Sequence, residues 1–165
     1  MPLLIAHRGL LDGPDLDIEN SPSMIELARR LGYDVEIDVW KTSSGWYLGH
    51  DEPQYKVSLD WIKSIDKPSY LDKSHAWIHA KNIDALYELR ANHWEGHLFY
   101  HQNDDAVITN TGYIWTFPGR KLTPLSICVM PEWINLVEQA NTVKVYGFCT
   151  DYVRKIEKVL NTGVR

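Results

Sequence analysis

The stretch Tyr33-Asp34-Val35-Glu36-Ile37-Asp38-Val39-Trp40 decides the fold. Val35, Ile37 and Val39 alternate with Asp34, Glu36 and Asp38, the period-two pattern of a strand with two chemically different faces. On a half-exposed strand the acids would face water. Here the neighbouring segments are strongly apolar and the chain reads as alternating strands and helices, so the acidic face is expected to turn inward. Carboxylates at positions i and i+2 project the same way and stand close enough to share one cation.

Upstream, Leu3–Ala6 is a continuous apolar run, the pattern of a strand buried on both faces, and it ends at His7-Arg8-Gly9. A Gly-, Pro- and Asp-rich loop over 12–20 leads to Ser21-Pro22, an N-cap followed by proline at the first helical position. That spacing predicts a helix over 22–31, closed by Gly32. Downstream, a short extended piece at 46–49 delivers His50-Asp51. Further helices are expected over 59–65, 85–90 and 152–160, and further strands over 76–80, 97–100, 113–116, 126–130 and 144–149. Such alternation indicates an α/β fold with a largely parallel sheet. Polar residues collect at the downstream ends of the runs: His7-Arg8, Glu36 and Asp38, His79 and Lys81, His101, Glu132, and Thr150-Asp151. Barrel and open-sheet enzymes place their sites there.

At 165 residues the chain suits one domain, 1–165. Seven Trp and nine Tyr exclude the composition of a disordered chain. A formal charge of −5 argues against a duplex-binding protein, which needs a basic face, so no nucleic-acid partner is expected. The start Met-Pro-Leu-Leu-Ile-Ala lacks the basic segment and long apolar run of a secretory signal. No stretch approaches the ~20 apolar residues of a membrane span, so no stable membrane insertion is expected and the chain reads as cytoplasmic. Cys128 and Cys149 are expected as buried, reduced thiols.

The blocks Ile5-Ala6-His7-Arg8-Gly9, Glu19-Asn20-Ser21, Val35-Glu36-Ile37-Asp38-Val39 and His50-Asp51, in that order, resemble the opening half of the glycerophosphodiester phosphodiesterase family. The segment Tyr146-Gly147-Phe148-Cys149-Thr150-Asp151-Tyr152 is similar to the final repeat of that family's barrel. The resemblance implies a β/α barrel of the triosephosphate isomerase type, one divalent cation and cleavage of a small phosphodiester. Such barrels normally need ~250 residues, so this one is expected to be reduced, with several outer helices shortened or missing.

Carried onto these residues, the resemblance makes His7 and His50 the acid–base pair, Arg8 and Lys81 phosphate ligands, and Glu36 and Asp38 metal ligands. Glu19 and Asn20 are expected either to orient Arg8 or the loop or, as the resemblance also allows, to bring the Glu19 acid to the metal; His101 is expected to reach the pocket, and Asp151 and Tyr152 to be chiefly structural. Family members usually carry Glu-x-Lys where this chain has His79-Ala80-Lys81. Either His79 ligates the metal, which shifts preference from magnesium or calcium toward manganese, zinc or iron, or water replaces the lost carboxylate and His79 bonds a ligand from outside. The expected reaction is hydrolysis to glycerol 3-phosphate and an alcohol. The alternatives are a phospholipase-D-like lyase that forms a cyclic phosphate and a phosphate-binding module without turnover.

Overall fold

The computed structural model describes residues 1–66, 75–134 and 143–162. Its strands are β1 (Leu3–Ala6), β2 (Asp34–Thr42), β3 (Gly45–Leu48), β4 (Tyr55–Val57), β5 (Ala76–Ala80), β6 (His97–Phe99), β7 (Ala106–Ile108), β8 (Ile114–Thr116), β9 (Ser126–Val129) and β10 (Gly147–Thr150). Its α-helices are α1 (Pro22–Arg30), α2 (Leu59–Ile65), α3 (Ile83–Ala91) and α4 (Val153–Thr162). The fold is mixed α/β around one curled sheet.

The expected strand at 33–40 is β2, and it organises the rest. Its first half pairs in parallel with β1 on one side and β5 on the other, while its last residues turn to antiparallel pairing with β3. Beyond β5 lies β6, and beyond β1 lie β10, β9 and β8, so the parallel run reads β6-β5-β2-β1-β10-β9-β8. Strand β7 closes the far edge in antiparallel pairing with β8. The two ends of the parallel run approach each other through Asn110. Its backbone N–H donates to Leu98 O at 2.9 Å, its Oδ1 accepts Leu98 N–H at 2.7 Å, and its Nδ2 donates to Gly96 O at 2.9 Å. Phe99 on β6 and Trp115 on β8 stack across the same gap at 4.5 Å.

Alternation along the strands sorts side chains into two cores. Ile5, Trp77, Phe99, Trp115, Ile127, Val129 and Cys149 pack together on one face. Val35, Ile37, Val39, Ile78 and Ala80 face the other way, against Ile25 and Ala28 of α1, Ile62 and Ile65 of α2, and Ala85 and Leu89 of α3. Each fully buried isoleucine contributes roughly 1.5–3 kcal/mol to this layer. Helix α4 lays Ile156 on Phe148 and Cys128 in a third cluster. Cys128 and Cys149 thus sit on opposite faces of the sheet, both free and buried, and burial pushes the Cys128 thiol up to about 12.

The helices begin where the capping residues direct. Ser21, Ser58 and Asn82 each accept a backbone N–H from the first turn, and Asn82 Nδ2 also donates to Lys41 O, tying α3 to β2. Two strands, β4 and β7, are absent from the sequence expectations; each lies at an end of the sheet order and buries none of its three residues. The last strand starts at Gly147 rather than at 144 because Lys144 has φ 57°, a left-handed conformation no strand accommodates. Among the described residues no helix is long and apolar enough to cross a membrane.

Candidate active site

The downstream ends of the parallel strands surround a cavity of about 610 Å³, lined by His7, Arg8, Glu19, Glu36, Asp38, His50, His79, Lys81, His101 and Asp151, with an apolar wall that includes Trp115, Phe117 and Met130. Of the polar residues the sequence places at the strand ends and in the site, Asn20, Glu132 and Thr150 are missing from the cavity wall, and Asn20 is the one among them that the resemblance assigns to the site. It is wholly buried, and it works from behind.

After β1 the chain makes one tight turn, His7–Gly9, in which Arg8 adopts φ 52°, ψ 25°. A side-chain-bearing residue holds that left-handed geometry only when its surroundings enforce it. Arg8 N–H donates to Glu36 Oε2 at 3.2 Å and Arg8 O accepts Asn20 N–H at 2.9 Å. Gly9 follows at φ 76°, where a Cβ would stand 3.0 Å from the backbone nitrogen of Ile25, so the turn needs glycine to seat against α1. The Arg8 guanidinium then reaches Glu19, with Nη1 at 3.1 and 2.9 Å from its two carboxylate oxygens. Glu19 thus orients Arg8, as its position in the loop suggested.

Asp38 is the hub of the charged wall. Asn20 grips it twice, donating from Nδ2 to Oδ2 and accepting the Asp38 N–H, both at 2.9 Å. His79 Nδ1 lies 2.8 Å from Oδ1, Lys81 Nζ 3.4 Å from Oδ1, and Arg8 Nε 3.3 Å from Oδ2. Burial alone would raise the Asp38 pKa, but the His79 hydrogen bond and the charges of His79, Lys81 and Arg8 reverse it and hold the carboxyl well below the usual range. Glu36 shifts the other way, raised by burial and by the neighbouring Asp38 charge. Two buried carboxylates with opposed shifts form a pair that a cation would stabilise.

Glu36, Asp38 and His79 each present a donor atom within 4.8 Å of the others, all buried, so this group could hold a metal ion. Two carboxylate oxygens and one imidazole nitrogen are a suitable donor set for a divalent cation. The His79 ring runs parallel to Phe99 at 5.2 Å and stacks on His101 at 4.3 Å, and its Nε2 is buried without a partner. His101 does reach the cavity. Its Nδ1 is also buried without a partner, and burial, reinforced by the charges of His79 and Lys81, lowers its pKa to about 4.

His7 has a support the sequence reading missed. Its Nδ1 lies 2.7 Å from Asp151 Oδ1, while Nε2 faces Glu36 Oε2 at 3.8 Å. Burial opposes the charged imidazolium, yet the Asp151 hydrogen bond and the Glu36 charge outweigh it and the His7 pKa is raised. Asp151 is itself held by Glu132, whose Oε1 accepts the Asp151 N–H at 3.3 Å and whose Oε2 accepts the Thr150 hydroxyl at 2.8 Å. Asp151 therefore orients a histidine rather than serving only the fold. The one hint in the sequence is its place at the end of β10.

His50 stands across the cavity, with Nδ1 2.8 Å from Asp51 Oδ1 and its side chain 36% exposed. Burial, with the Arg8 and Lys81 charges, lowers its pKa against the opposing pull of Asp38. The preceding Gly49, at φ 146°, leaves room for the turn, since a Cβ there would lie 2.1 Å from Glu52 O. Gly49 O accepts the Trp40 Nε1–H at 2.7 Å and its N–H donates to Asp38 O at 3.2 Å, so the same strand that carries the acids fixes His50.

Compared with protein-family models, curated proteins and solved structures, the chain gives no match.

Proposed function

We propose that the chain is a metal-dependent phosphodiesterase on a reduced β/α barrel, hydrolysing a glycerophosphodiester to glycerol 3-phosphate and an alcohol. The observation that carries this reading is the convergence of two histidines, two cationic side chains and a buried Glu36–Asp38–His79 group on one cavity. Barrel architecture is supported by the parallel strand order and by the way Asn110 and the Phe99–Trp115 stack bridge β6 and β8.

Hydrolysis requires a water to lose a proton as it attacks phosphorus and a leaving alkoxide to gain one as its P–O bond breaks. The opposite pKa shifts divide those tasks. His7, raised and held by Asp151, carries a proton to the leaving oxygen through Nε2; His50, lowered and partly open to solvent, takes the proton from water. Arg8 and Lys81 neutralise the non-bridging phosphoryl oxygens, Arg8 through its planar fork. A divalent ion held by Glu36, Asp38 and His79 would polarise the phosphoryl group. Glu19, Asn20 and Glu132 act by holding Arg8, Asp38 and Asp151 in place.

The test is incubation of glycerophosphocholine with the metal-loaded protein, followed by product analysis. Glycerol 3-phosphate is the expected product; a cyclic phosphate would replace hydrolysis by the lyase reaction. No product from this or a chromogenic diester, in folded protein loaded with any divalent ion, would leave a phosphate-binding module.

A further inference from the structure

The buried donor group sets which ion the site takes, and the deciding residue is His79. Resting on the metal-dependent reading above, we infer that the site takes a divalent transition ion, zinc or manganese, in preference to magnesium or calcium, with His79 Nδ1 as the ligand that sets the preference.

Three observations carry the inference. The first is geometric: Nδ1 lies 2.8 Å from Asp38 Oδ1, about the separation of adjacent ligands on a six-coordinate ion with bonds of ~2.0–2.1 Å, so one ion could reach both atoms with little movement. At that distance Nδ1–H donates to the Asp38 carboxylate, and an ion bound at Nδ1 would take the place of that proton. Because Nε2 has no hydrogen-bond partner, nothing on that side fixes the tautomer, and the ring's proton can reside on Nε2 when an ion occupies Nδ1.

The second is charge. The donor group holds two carboxylates, and Arg8 Nε at 3.3 Å and Lys81 Nζ at 3.4 Å from Asp38 already offset that negative charge. Magnesium and calcium are bound chiefly by carboxylates and other hard oxygens, in octahedral or higher coordination, so they gain little here. A transition ion gains in addition from the bond to imidazole, which does not depend on net charge.

The third is rigidity. His79 is 6% exposed, lies between strand neighbours on β2 and β6, and stacks on His101 at 4.3 Å with the rings 6° from parallel. The nitrogen is therefore presented to Asp38 without the entropy cost of ordering a mobile side chain. An aspartate or glutamate at this position would supply the third carboxylate whose absence disfavours the hard ions.

The experiment is calorimetric titration of the metal-stripped full chain with zinc, manganese, magnesium and calcium, without substrate. Zinc and manganese are expected to bind at least ~100-fold more tightly than magnesium or calcium, zinc the tighter of the two. His79→Glu is expected to narrow that ratio by ~10-fold or more. Should that variant fail to fold, pulsed electron paramagnetic resonance of the manganese-loaded wild type reads the same ligand, and a directly coordinated imidazole nitrogen is expected. Equal affinity for magnesium or calcium, an unchanged ratio in His79→Glu, absence of nitrogen coupling, or no binding of any ion would each overturn the inference. Since no reading involves turnover, the ion preference can hold in a protein that cleaves no diester, and its failure would leave the phosphodiesterase reading intact.

Discussion

Asp34 and Asp38 leave the same face of the same strand, and both are buried, yet their surroundings make them different kinds of residue. Asp34 takes the backbone N–H of His75 at 2.9 Å and the Trp77 Nε1–H at 2.8 Å, one on each oxygen. Those neutral donors lock the upstream end of β2 to β5. Asp38, at the downstream end, draws in Arg8, His79 and Lys81 as well as Asn20. A carboxylate whose two oxygens each accept an N–H from the adjoining strand is structural cement. One that gathers cations around an open cavity is poised for a charged ligand, and what the neighbouring strand presents decides which it becomes.

Amide substitutions break the comparison most sharply. Asp38→Asn is expected to abolish diester turnover and to cost about 3–5 kcal/mol of stability, because Arg8 and Lys81 lose a buried counter-charge. Asp34→Asn is expected to cost about 1–3 kcal/mol, as one amide N–H then faces a donor, with turnover per folded molecule unchanged. Denaturant unfolding and initial rates check both, and equal effects on rate would end the distinction.

Asp151→Asn is expected to lower kcat by about 10²–10⁴-fold with KM little changed, since an amide N–H facing His7 Nδ1 enforces the wrong tautomer. Restoration of part of the rate by Asp151→Glu would separate orientation of His7 from mere packing.

The pH profile of kcat/KM sharpens the same picture. His50, with its pKa below 6.5, works as a base only above that pKa, and His7, raised above 6.5, donates only below its own. A bell with its plateau around pH 6.5 is expected, and a rate that climbs steadily into alkaline pH would contradict the assignment.

The smallest effect belongs to the upstream end. Burial and the nearby His75 lower the His97 pKa to about 4, below its unfolded value of 6.5. Its neutral form therefore contributes stability that is complete above pH 6.5 and lost as pH falls through about 4. His97→Gln is expected to flatten part of the fall in Tm over that range.

Much of the charged wall was legible in the sequence because strand alternation is local. Val35, Ile37 and Val39 alone tell which way Glu36 and Asp38 point, and a run's end tells where His7, His79 and Lys81 emerge. The Asp151 bond to His7 was not legible, since it joins the first strand to the last across 144 positions and depends on β1 and β10 lying side by side. Asn110 was equally hidden, because a loop asparagine that pairs like a strand leaves no period to read. The opposite shifts of Glu36 and Asp38 were equally hidden, since Arg8, His79 and Lys81 arrive from separate segments to lower Asp38, while burial and the Asp38 charge raise Glu36.

The acid–base assignment is tested most directly by measuring glycerophosphocholine hydrolysis in the wild type, His7→Ala and His50→Ala, side by side in metal-loaded protein of verified fold. Each substitution is expected to cost at least ~100-fold in rate. Turnover undiminished in either variant would contradict the paired-histidine mechanism.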